Sequence, residues 1–244
     1  MNHGKEFKKY ALSNGISSMK MHYHEKRIKD SMTPYILEER SLNVTQLDVF
    51  SRLMRDRILF LSGVVDDNMS SIVCAQLMFL DNVDKKDINF YIDSPGGSVK
   101  SGLTIFDTMN YVTSDISTLN IGMCASMGSI LVSSGSKGKR SSLINSKIMV
   151  HQVSSGQSGN IQDNRISQME AEKYNYILFK ILAENCGRTF DEVLESARRD
   201  KWLNSSESLS FGLIDEVVGI DKSISIDQRL EGFEDYYQKE VLKM

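Results

Sequence analysis

Short apolar runs alternate with segments of helical periodicity, and this alternation constrains the fold more than any other feature of the chain. The runs are typical of buried strands and cover residues 58–61, 88–92, 117–121 and 148–150. Between them, apolar residues recur at helical spacing at Met69, Val73, Leu77 and Leu80, and again at Ile105, Met109 and Val112. Strands that alternate with helices predict an α/β fold with a mostly parallel sheet.

Capping residues predict where the later helices begin and end. Asn160 is suited to begin a long helix that Gly187 ends. Thr189 and Asn204 each start a segment with the spacing of a capping box. The charged stretch 229–244, with its few aromatic residues, predicts a peripheral helix.

Composition excludes several classes of protein. The chain of 244 residues suffices for one large domain or two small ones, and its net charge of -3 gives no strong attraction to nucleic acid or anionic membranes. The longest apolar runs are far shorter than the ~20 residues that span a bilayer. The three cysteines lack metal-ligand spacing and indicate reduced thiols. We therefore expect a cytoplasmic protein that uses no metal or other cofactor.

Residues 1–31 differ from the rest of the chain. They carry seven Lys and Arg residues against three Asp and Glu residues, and they lack the apolar core of a secretory signal. This composition predicts a disordered tail or a removable leader. His22 and His24 have the spacing to hold a metal ion, but a solvated tail is the favoured interpretation.

Three features fall where predicted strands end, and together they favour acyl transfer. They are the glycines Gly96 and Gly97, Ser126 between small neighbours, and His151, which is the one histidine beyond residue 35. Loops at the carboxyl ends of parallel strands form the active edge of an α/β fold. A serine needs a base to become a nucleophile, a histidine exchanges protons near neutral pH, and glycine loops and helix N-termini offer N–H donors to an oxyanion.

Each feature also has a purely structural interpretation. A serine such as Ser126 is more often a helix cap, two glycines after a strand are more often a turn, and His151 alone is more often a packed or surface residue. Spacing does not identify the acid partner either. Several carboxylates lie downstream, and the candidates that remain open at this point are Asp163, Asp191, Asp200 and Asp215.

Seven segments, in order, resemble the proteolytic subunits of the Clp protease family. They cover residues 50–58, 91–99, 105–109, 125–128, 135–140, 145–152 and 212–215. The resemblance extends over roughly residues 33–220. It implies a ClpP/crotonase-like fold, in which a mostly parallel sheet is flanked by helices and a strand–helix handle protrudes.

The same resemblance implies the roles of individual residues. The serine nucleophile of the family falls on Ser126, the histidine base on His151 and the orienting acid on Asp200. The backbone N–H groups of Gly97 and Met127 match the oxyanion donors.

The resemblance also implies partners. Tyr91 and Tyr111 match aromatic positions of the cleft where an AAA+ unfoldase docks. Residues 154–159 and the helix after them match the handle that joins two seven-membered rings and pairs with unfolded polypeptide substrates. Short peptides are cleaved without the unfoldase.

We therefore expect three regions. Residues 1–31 form a self-cleaved leader that ends near Met32, residues 32–225 form the peptidase domain, and residues 226–244 form a charged tail.

The chain departs from the pattern of the family at several positions, none of which removes a catalytic group. They are Asn89, Asp93, Met123, Cys124, Ser141 and Val153. Val153 stands where the family usually has proline, which leaves the geometry of the handle open. Two alternatives remain, a crotonase-like acyl-CoA enzyme of the same architecture and a non-catalytic subunit of a mixed ring.

Overall fold

The computed structural model describes residues 35–40, 43–156, 158–219 and 225–241. The chain divides into two compact units, Met1–Arg55 and Asp56–Met244. The predicted leader, including His22 and His24, lies outside the described residues.

The first unit contains a two-stranded antiparallel sheet and a short helix. Strand β1 (Tyr35–Arg40) pairs with β2 (Asn43–Asp48), and helix α1 (Val49–Arg55) follows directly. The carboxylate of Asp48 accepts a hydrogen bond of 3.0 Å from the Ser51 N–H, which satisfies one of the free donors at the start of α1.

Within the described residues, the second unit holds a seven-stranded sheet that is parallel except for one pair. Five strands run in the order β3 (Ile58–Ser62), β4 (Ile88–Ser94), β5 (Ile116–Ala125), β6 (Arg140–Leu143) and β9 (Glu216–Val218). Strand β7 (Lys147–Val150) pairs with β5 beyond the end of β6, and β8 (Lys201–Leu203) pairs with β7 antiparallel. The predicted α/β fold with a mostly parallel sheet is confirmed.

Helices connect most of these strands. They are α2 (Asp67–Val83), α3 (Val99–Tyr111), α4 (Met127–Ser133), α5 (Ile161–Cys186), α6 (Phe190–Ser196), α7 (Ser205–Phe211), α8 (Ile226–Arg229) and α9 (Phe233–Tyr236), followed by a π-helical turn at Tyr237–Val241. Asn160 begins α5 and Gly187 ends it, and Thr189 and Asn204 form capping boxes, as predicted. The peripheral helix predicted for residues 229–244 appears as the short pieces α8, α9 and the π-helical turn.

One face of the sheet forms the core. Alternate residues of β3 and β4 are buried, among them Leu59, Leu61, Phe90 and Ile92, while the residues between them are half-buried or exposed. Helix α2 packs against β3, and α4 packs against β4 and β5. Because full burial of one such side chain is worth about 1.5–3 kcal/mol, this face fixes the register of the strands.

Strand β5 is longer than the predicted run 117–121, because residues 122–125, which begin with Gly122, continue the strand. The pairing between β4 and β5 shifts between Ile92 and Ser94, where β5 contributes extra residues. At this irregularity the Asp93 carboxylate accepts a hydrogen bond of 3.0 Å from the Met123 N–H. A Cβ atom on Gly122 would lie 2.7 Å from that carboxylate, so the glycine permits a close approach of the two strands.

The strand expected in the handle does not form. Residues 151–156 and 158–160 have no regular secondary structure, and α5, with 26 residues, follows them. A strand requires a neighbouring edge to pair with. Within the described part of the chain, no strand pairs with this segment.

Candidate active site

The carboxyl ends of three adjacent strands meet at one edge of the sheet and enclose a cleft of about 260 Å³. Strand β4 leads into Gly97, β5 into Ser126 and β7 into His151, and all three residues line the cleft. The juxtaposition expected from the ends of the predicted strands is therefore present.

Ser126 occupies a backbone conformation that favours glycine. Its φ is 54° and its ψ is -120°, and among the described non-glycine residues only Arg57 also has a positive φ. Such a conformation costs on the order of 1–3 kcal/mol and persists only where the surroundings enforce it. Here, β5 ends one residue before Ser126, α4 begins one residue after it, and its N–H donates to the Met149 carbonyl at 2.9 Å. The sharp turn presents the side chain at the end of the strand.

The Ser126 hydroxyl is not used as a helix cap. The side chains of Asp66, Ser98 and Asn160 each accept a hydrogen bond from the first turn of the helix that they begin. Ser126 begins α4, but its side chain makes no capping bond. The structural interpretation of this serine as an N-cap is therefore wrong for its hydroxyl, and the residue lines the cleft instead.

Glycines surround this turn because the backbones approach closely. A Cβ atom on Gly96 would lie 2.7 Å from the Ser126 Cβ and 2.7 Å from the Ala125 carbonyl oxygen. A Cβ atom on Gly128 would lie 3.0 Å from the Ser94 carbonyl oxygen. A side chain at Gly96 would therefore displace Ser126, and one at Gly128 would press α4 away from the end of β4.

Two backbone N–H groups lie at the cleft beside Ser126. The Val65 N–H donates to the Gly96 carbonyl, and the Val65 carbonyl accepts from the Ser98 N–H, each at 2.8 Å. In this bridge Gly97 itself turns its N–H away from Val65. The Met127 N–H belongs to the first turn of α4, where N–H groups have no acceptor within the helix.

The imidazole of His151 is oriented by Asp200. Strand pairing places Val150 opposite Lys201, so the residue after β7 meets the residue before β8. The Nδ1 atom of His151 lies 3.2 Å from Oδ1 of Asp200, with the side chains 21% and 64% exposed respectively. A hydrogen bond at Nδ1 leaves Nε2 as the nitrogen that can accept a proton.

The structure distinguishes Asp200 from the other candidate acids. Asp163 lies in the first turn of α5, Asp191 lies in the first turn of α6, and Asp215 pairs with Arg140. Of the four carboxylates, Asp200 alone is hydrogen-bonded to His151.

Ser126 and His151 share the cleft, but no hydrogen bond joins their side chains in the described part of the chain. Such bonds are often long in enzymes without substrate and tighten when substrate binds. The structure therefore joins the base and the acid by a hydrogen bond, and places the serine in the same cleft without such a bond to the base.

Cys124 does not compete with Ser126 as a nucleophile. The thiol is fully buried, its Sγ donates to the Ile92 carbonyl oxygen at 3.6 Å, and it lies outside the cleft lining. Burial, together with the nearby Asp93 carboxylate, raises the pKa of this thiol well above its ordinary value. The thiolate, which is the reactive form, is therefore suppressed.

The walls of the cleft include residues that the sequence did not assign to the site. Helix α5 contributes an apolar wall of Leu178, Phe179 and Leu182. Val153 also lines the cleft, and its N–H donates a hydrogen bond of 3.0 Å to Oδ1 of Asn175 on α5. The helical periodicity of α5 could have identified the apolar wall, but no local pattern predicts the bond to Asn175.

Known proteins resemble this chain over most of its length. The family model of the Clp protease matches residues 41–221. The chain belongs to the Clp protease family. This membership makes it a serine peptidase, so the peptidase interpretation is confirmed and the acyl-CoA alternative is not supported.

Three relatives illustrate the extent of the similarity, and each is named as an ATP-dependent Clp protease proteolytic subunit. The protein of Bacteroides fragilis strain YCH46 is 47% identical over 215 residues, which are 87% of this chain and 98% of the relative. The protein of Porphyromonas gingivalis strain W83 is 41% identical over 215 residues, 87% of this chain and 97% of the relative. The protein of Streptococcus pyogenes serotype M5 is 45% identical over 190 residues, 77% of this chain and 97% of the relative.

The two tyrosines matched to the docking cleft of the Clp protease family lie apart from the catalytic cleft. Tyr91 lies on β4, half-buried, and its ring meets that of Phe60 edge-on with centroids 5.3 Å apart. Tyr111 ends α3 and is 77% exposed. Neither residue lines the cleft.

Among the described helices, none has the length and apolar character needed to cross a bilayer. The described residues also contain no group of three or more His, Cys, Asp or Glu side chains placed to hold a metal ion.

Proposed function

We propose that Ser126, His151 and Asp200 form the catalytic triad of a serine endopeptidase. One observation carries the assignment. Ser126 stands in a strained turn with its hydroxyl unused as a cap, in the same cleft as a histidine whose Nδ1 is held by a carboxylate. Strain at a turn between strand and helix is typical of nucleophiles that must be exposed.

The reaction follows from this geometry. The Ser126 Oγ attacks the carbonyl carbon of the peptide bond, and its proton passes to Nε2 of His151. Asp200 holds the imidazole in the required tautomer and stabilises the imidazolium. The tetrahedral intermediate collapses as the C–N bond breaks and His151 returns the proton to the leaving amine. Water, deprotonated by the same imidazole, then hydrolyses the acyl-enzyme.

The developing oxyanion is stabilised by the N–H groups of Gly97 and Met127. Both residues line the cleft beside Ser126. Backbone donors that are already aimed at the developing charge require no reorganisation during the reaction, and each is worth about 10²–10³ in turnover.

The peptidase acts within a larger assembly in this proposal. Subunits form two stacked seven-membered rings, a cytoplasmic AAA+ unfoldase docks at Tyr91 and Tyr111, and unfolded polypeptides enter the chamber. Exposed apolar side chains on α2 and α5 support self-association, since such surface is usually covered by a partner. They are Ile72, Met78, Phe79 and Val83 on α2, and Ile161, Ile166 and Met169 on α5. The chain contains no Gly-x-x-x-x-Gly-Lys-Ser/Thr loop, so the ATPase is a separate partner.

The first prediction concerns the nucleophile. Ser126→Ala should reduce hydrolysis of a fluorogenic peptide on the order of 10⁶-fold, abolish labelling by a fluorophosphonate probe and leave the leader attached. Intact mass measured with and without the probe checks the label and the leader together. Cys124→Ala is the matched control, because it removes the neighbouring thiol and should leave labelling intact.

Two results would contradict the assignment. Continued hydrolysis by Ser126→Ala would exclude this serine as the nucleophile. Failure of the wild-type protein to react with the probe would indicate a non-catalytic ring subunit. Native mass of the assembly tests the rings independently of the chemistry.

A further inference from the structure

We propose that Ser129 is a positioning residue that aims the Met127 N–H at the oxyanion. This inference rests on the proposed function, because it concerns one of the two N–H donors assigned there. Ser129 lies on α4, 1% exposed, and lines the cleft below Ser126.

The start of α4 differs from the starts of the longer helices α2 and α3. The carbonyls of Asp66 and Ser98 each accept a hydrogen bond of 2.9 Å from the N–H four residues later, as expected for an α-helix. The carbonyl of Ser126 accepts instead from the Ser129 N–H, three residues later, at 2.9 Å. It also accepts a bond of 2.6 Å from the Ser129 hydroxyl, so one residue holds this carbonyl twice.

This carbonyl and the Met127 N–H belong to the same peptide unit. The unit is planar and trans, so its C=O and N–H point in opposite directions. Any group that fixes the direction of the Ser126 carbonyl therefore fixes the direction of the Met127 N–H. The two bonds from Ser129 set that direction.

The direction of the second donor, the Gly97 N–H, is also fixed through the carbonyl of its peptide unit, but by a main-chain hydrogen bond alone. The Gly96 carbonyl accepts from the Val65 N–H at 2.8 Å, which aims the Gly97 N–H of the same peptide unit. Among the described residues, Ser129 provides the one side chain that donates to either of these two carbonyls. A side-chain substitution at residue 129 can therefore alter the direction of the Met127 N–H. The direction of the Gly97 N–H is set by a main-chain bond, which no such substitution removes.

Removal of the Ser129 hydroxyl should make the direction of the Met127 N–H less fixed while leaving this donor in place. In Ser129→Ala the backbone bond to the Ser126 carbonyl remains, and the peptide unit gains freedom to tilt. We expect kcat to fall about tenfold, which is less than the 10²–10³ caused by losing an oxyanion donor outright. The KM should not change, because the oxyanion forms only after the substrate has bound.

Ser133 supplies a matched control on the same helix. It is also 1% exposed, and its hydroxyl donates to the Ile130 carbonyl, three residues earlier, at 2.9 Å. It also accepts a bond from Asn185, so Ser133→Ala should destabilise the fold at least as much as Ser129→Ala. It does not line the cleft, so its kcat should remain that of the wild type.

The experiment measures kcat, KM and the affinity for a peptide boronate in the assembled protein. The boronate forms a tetrahedral adduct with the serine and so reports on stabilisation of the transition state. We expect Ser129→Ala to weaken boronate binding by the same factor as kcat, and Ser133→Ala to change neither. Ser129→Thr, which keeps the hydroxyl, should recover most of kcat, and thermal unfolding verifies that each variant is folded.

Three outcomes would overturn the inference. They are a kcat for Ser129→Ala equal to that of Ser133→Ala, a rise in KM at constant kcat, and a fall in kcat without loss of boronate affinity. Ser126→Ala separates this failure from that of the proposed function. If Ser126→Ala is inactive while the kcat of Ser129→Ala equals that of the wild type, the proposed triad is retained and the proposed role of Ser129 is rejected.

Discussion

At the scale of single residues, backbone conformation decides where the reactive groups stand. Ser126 tolerates a positive φ because β5 and α4 fix the chain on both sides of it. Gly96 allows the neighbouring loop to pass against this serine, at a distance that excludes any side chain. The geometry of the site therefore depends on the lack of a side chain at Gly96 as well as on the reactive side chains.

A prediction at this scale concerns Gly96. Gly96→Ala combines a φ of 90° with a Cβ that would meet Ser126, so it should reduce kcat at least 10²-fold by displacing the nucleophile. Gly138 is the matched control, because its φ is 81° and a Cβ there would meet nothing within 4 Å. Peptide hydrolysis and thermal unfolding should show that Gly138→Ala loses some stability, on the order of 1 kcal/mol, and keeps its activity. Equal loss of activity in both variants would contradict the argument.

Some of these residues were predictable from the sequence and others were not. Ser126 and His151 follow apolar runs, and the rule that parallel strands share one edge places them together. The acid was not predictable by spacing, since Asp200 reaches His151 through an antiparallel pair between two strands of three and four residues. The sequence did not indicate β6 or β8, because neither short strand contains an apolar run like the one in β7.

At the scale of elements, the segment after His151 is held by side chains instead of by strand pairing. The Gln152 side chain donates to the Arg198 carbonyl at 3.1 Å, and the Val153 N–H donates to Asn175 at 3.0 Å. A proline in place of Val153 could not make the second bond, because proline has no N–H. Valine in place of the proline that is usual in the family therefore adds a hydrogen bond between the segment after His151 and α5.

Asn175 provides the prediction at this scale. Asn175→Leu should free the Val153 N–H, increase hydrogen exchange across residues 152–156 and lower kcat/KM about fivefold, the equivalent of one ordinary hydrogen bond. Asn175→Asp keeps the acceptor and should preserve both properties. Hydrogen exchange followed by mass spectrometry, together with peptide hydrolysis, provides the comparison. Unchanged exchange in Asn175→Leu would show that the bond does not restrain the segment.

At the scale of the whole molecule, a mostly buried ion pair joins elements that are distant in sequence. The guanidinium of Arg140, on β6, bonds to Asp215 and to the carbonyls of Ser133 and Asn185, at the ends of α4 and α5. The hydrogen bond from Arg140 lowers the pKa of Asp215 below its ordinary value. The folded protein therefore binds a proton at Asp215 less readily than the unfolded chain does.

Stability should depend on pH through this pair. Its contribution is complete above the unfolded pKa of about 3.9 and is lost as the pH falls through the lower folded value. Asp215→Asn should cost about 3–5 kcal/mol at neutral pH, because it leaves Arg140 buried without its partner, and the difference from wild type should shrink below pH 4. Urea unfolding at pH 7 and pH 3 measures both effects.

A matched control exists on the surface. Asp115 bonds to Lys139, which lowers the pKa of its carboxyl, but this side chain is 57% exposed. Asp115→Asn should therefore change the urea midpoint little at either pH, because solvent screens the pair. A cost for Asp115→Asn equal to that for Asp215→Asn would show that burial is not the cause.

The antiparallel pairing of β7 with β8 has a consequence for how the enzyme fails. Ser126 stands between the buried end of β5 and the buried helix α4, whereas the carboxylate proposed to orient the histidine directly precedes a three-residue strand that, among the described strands, pairs only with β7. Local unfolding of β8 would separate Asp200 from His151 and inactivate the enzyme while the rest of the protein stayed folded. Such inactivation would be reversible and would precede global denaturation. Trp202, the single tryptophan of the chain, sits in the middle of this strand, so its own emission signals the transition.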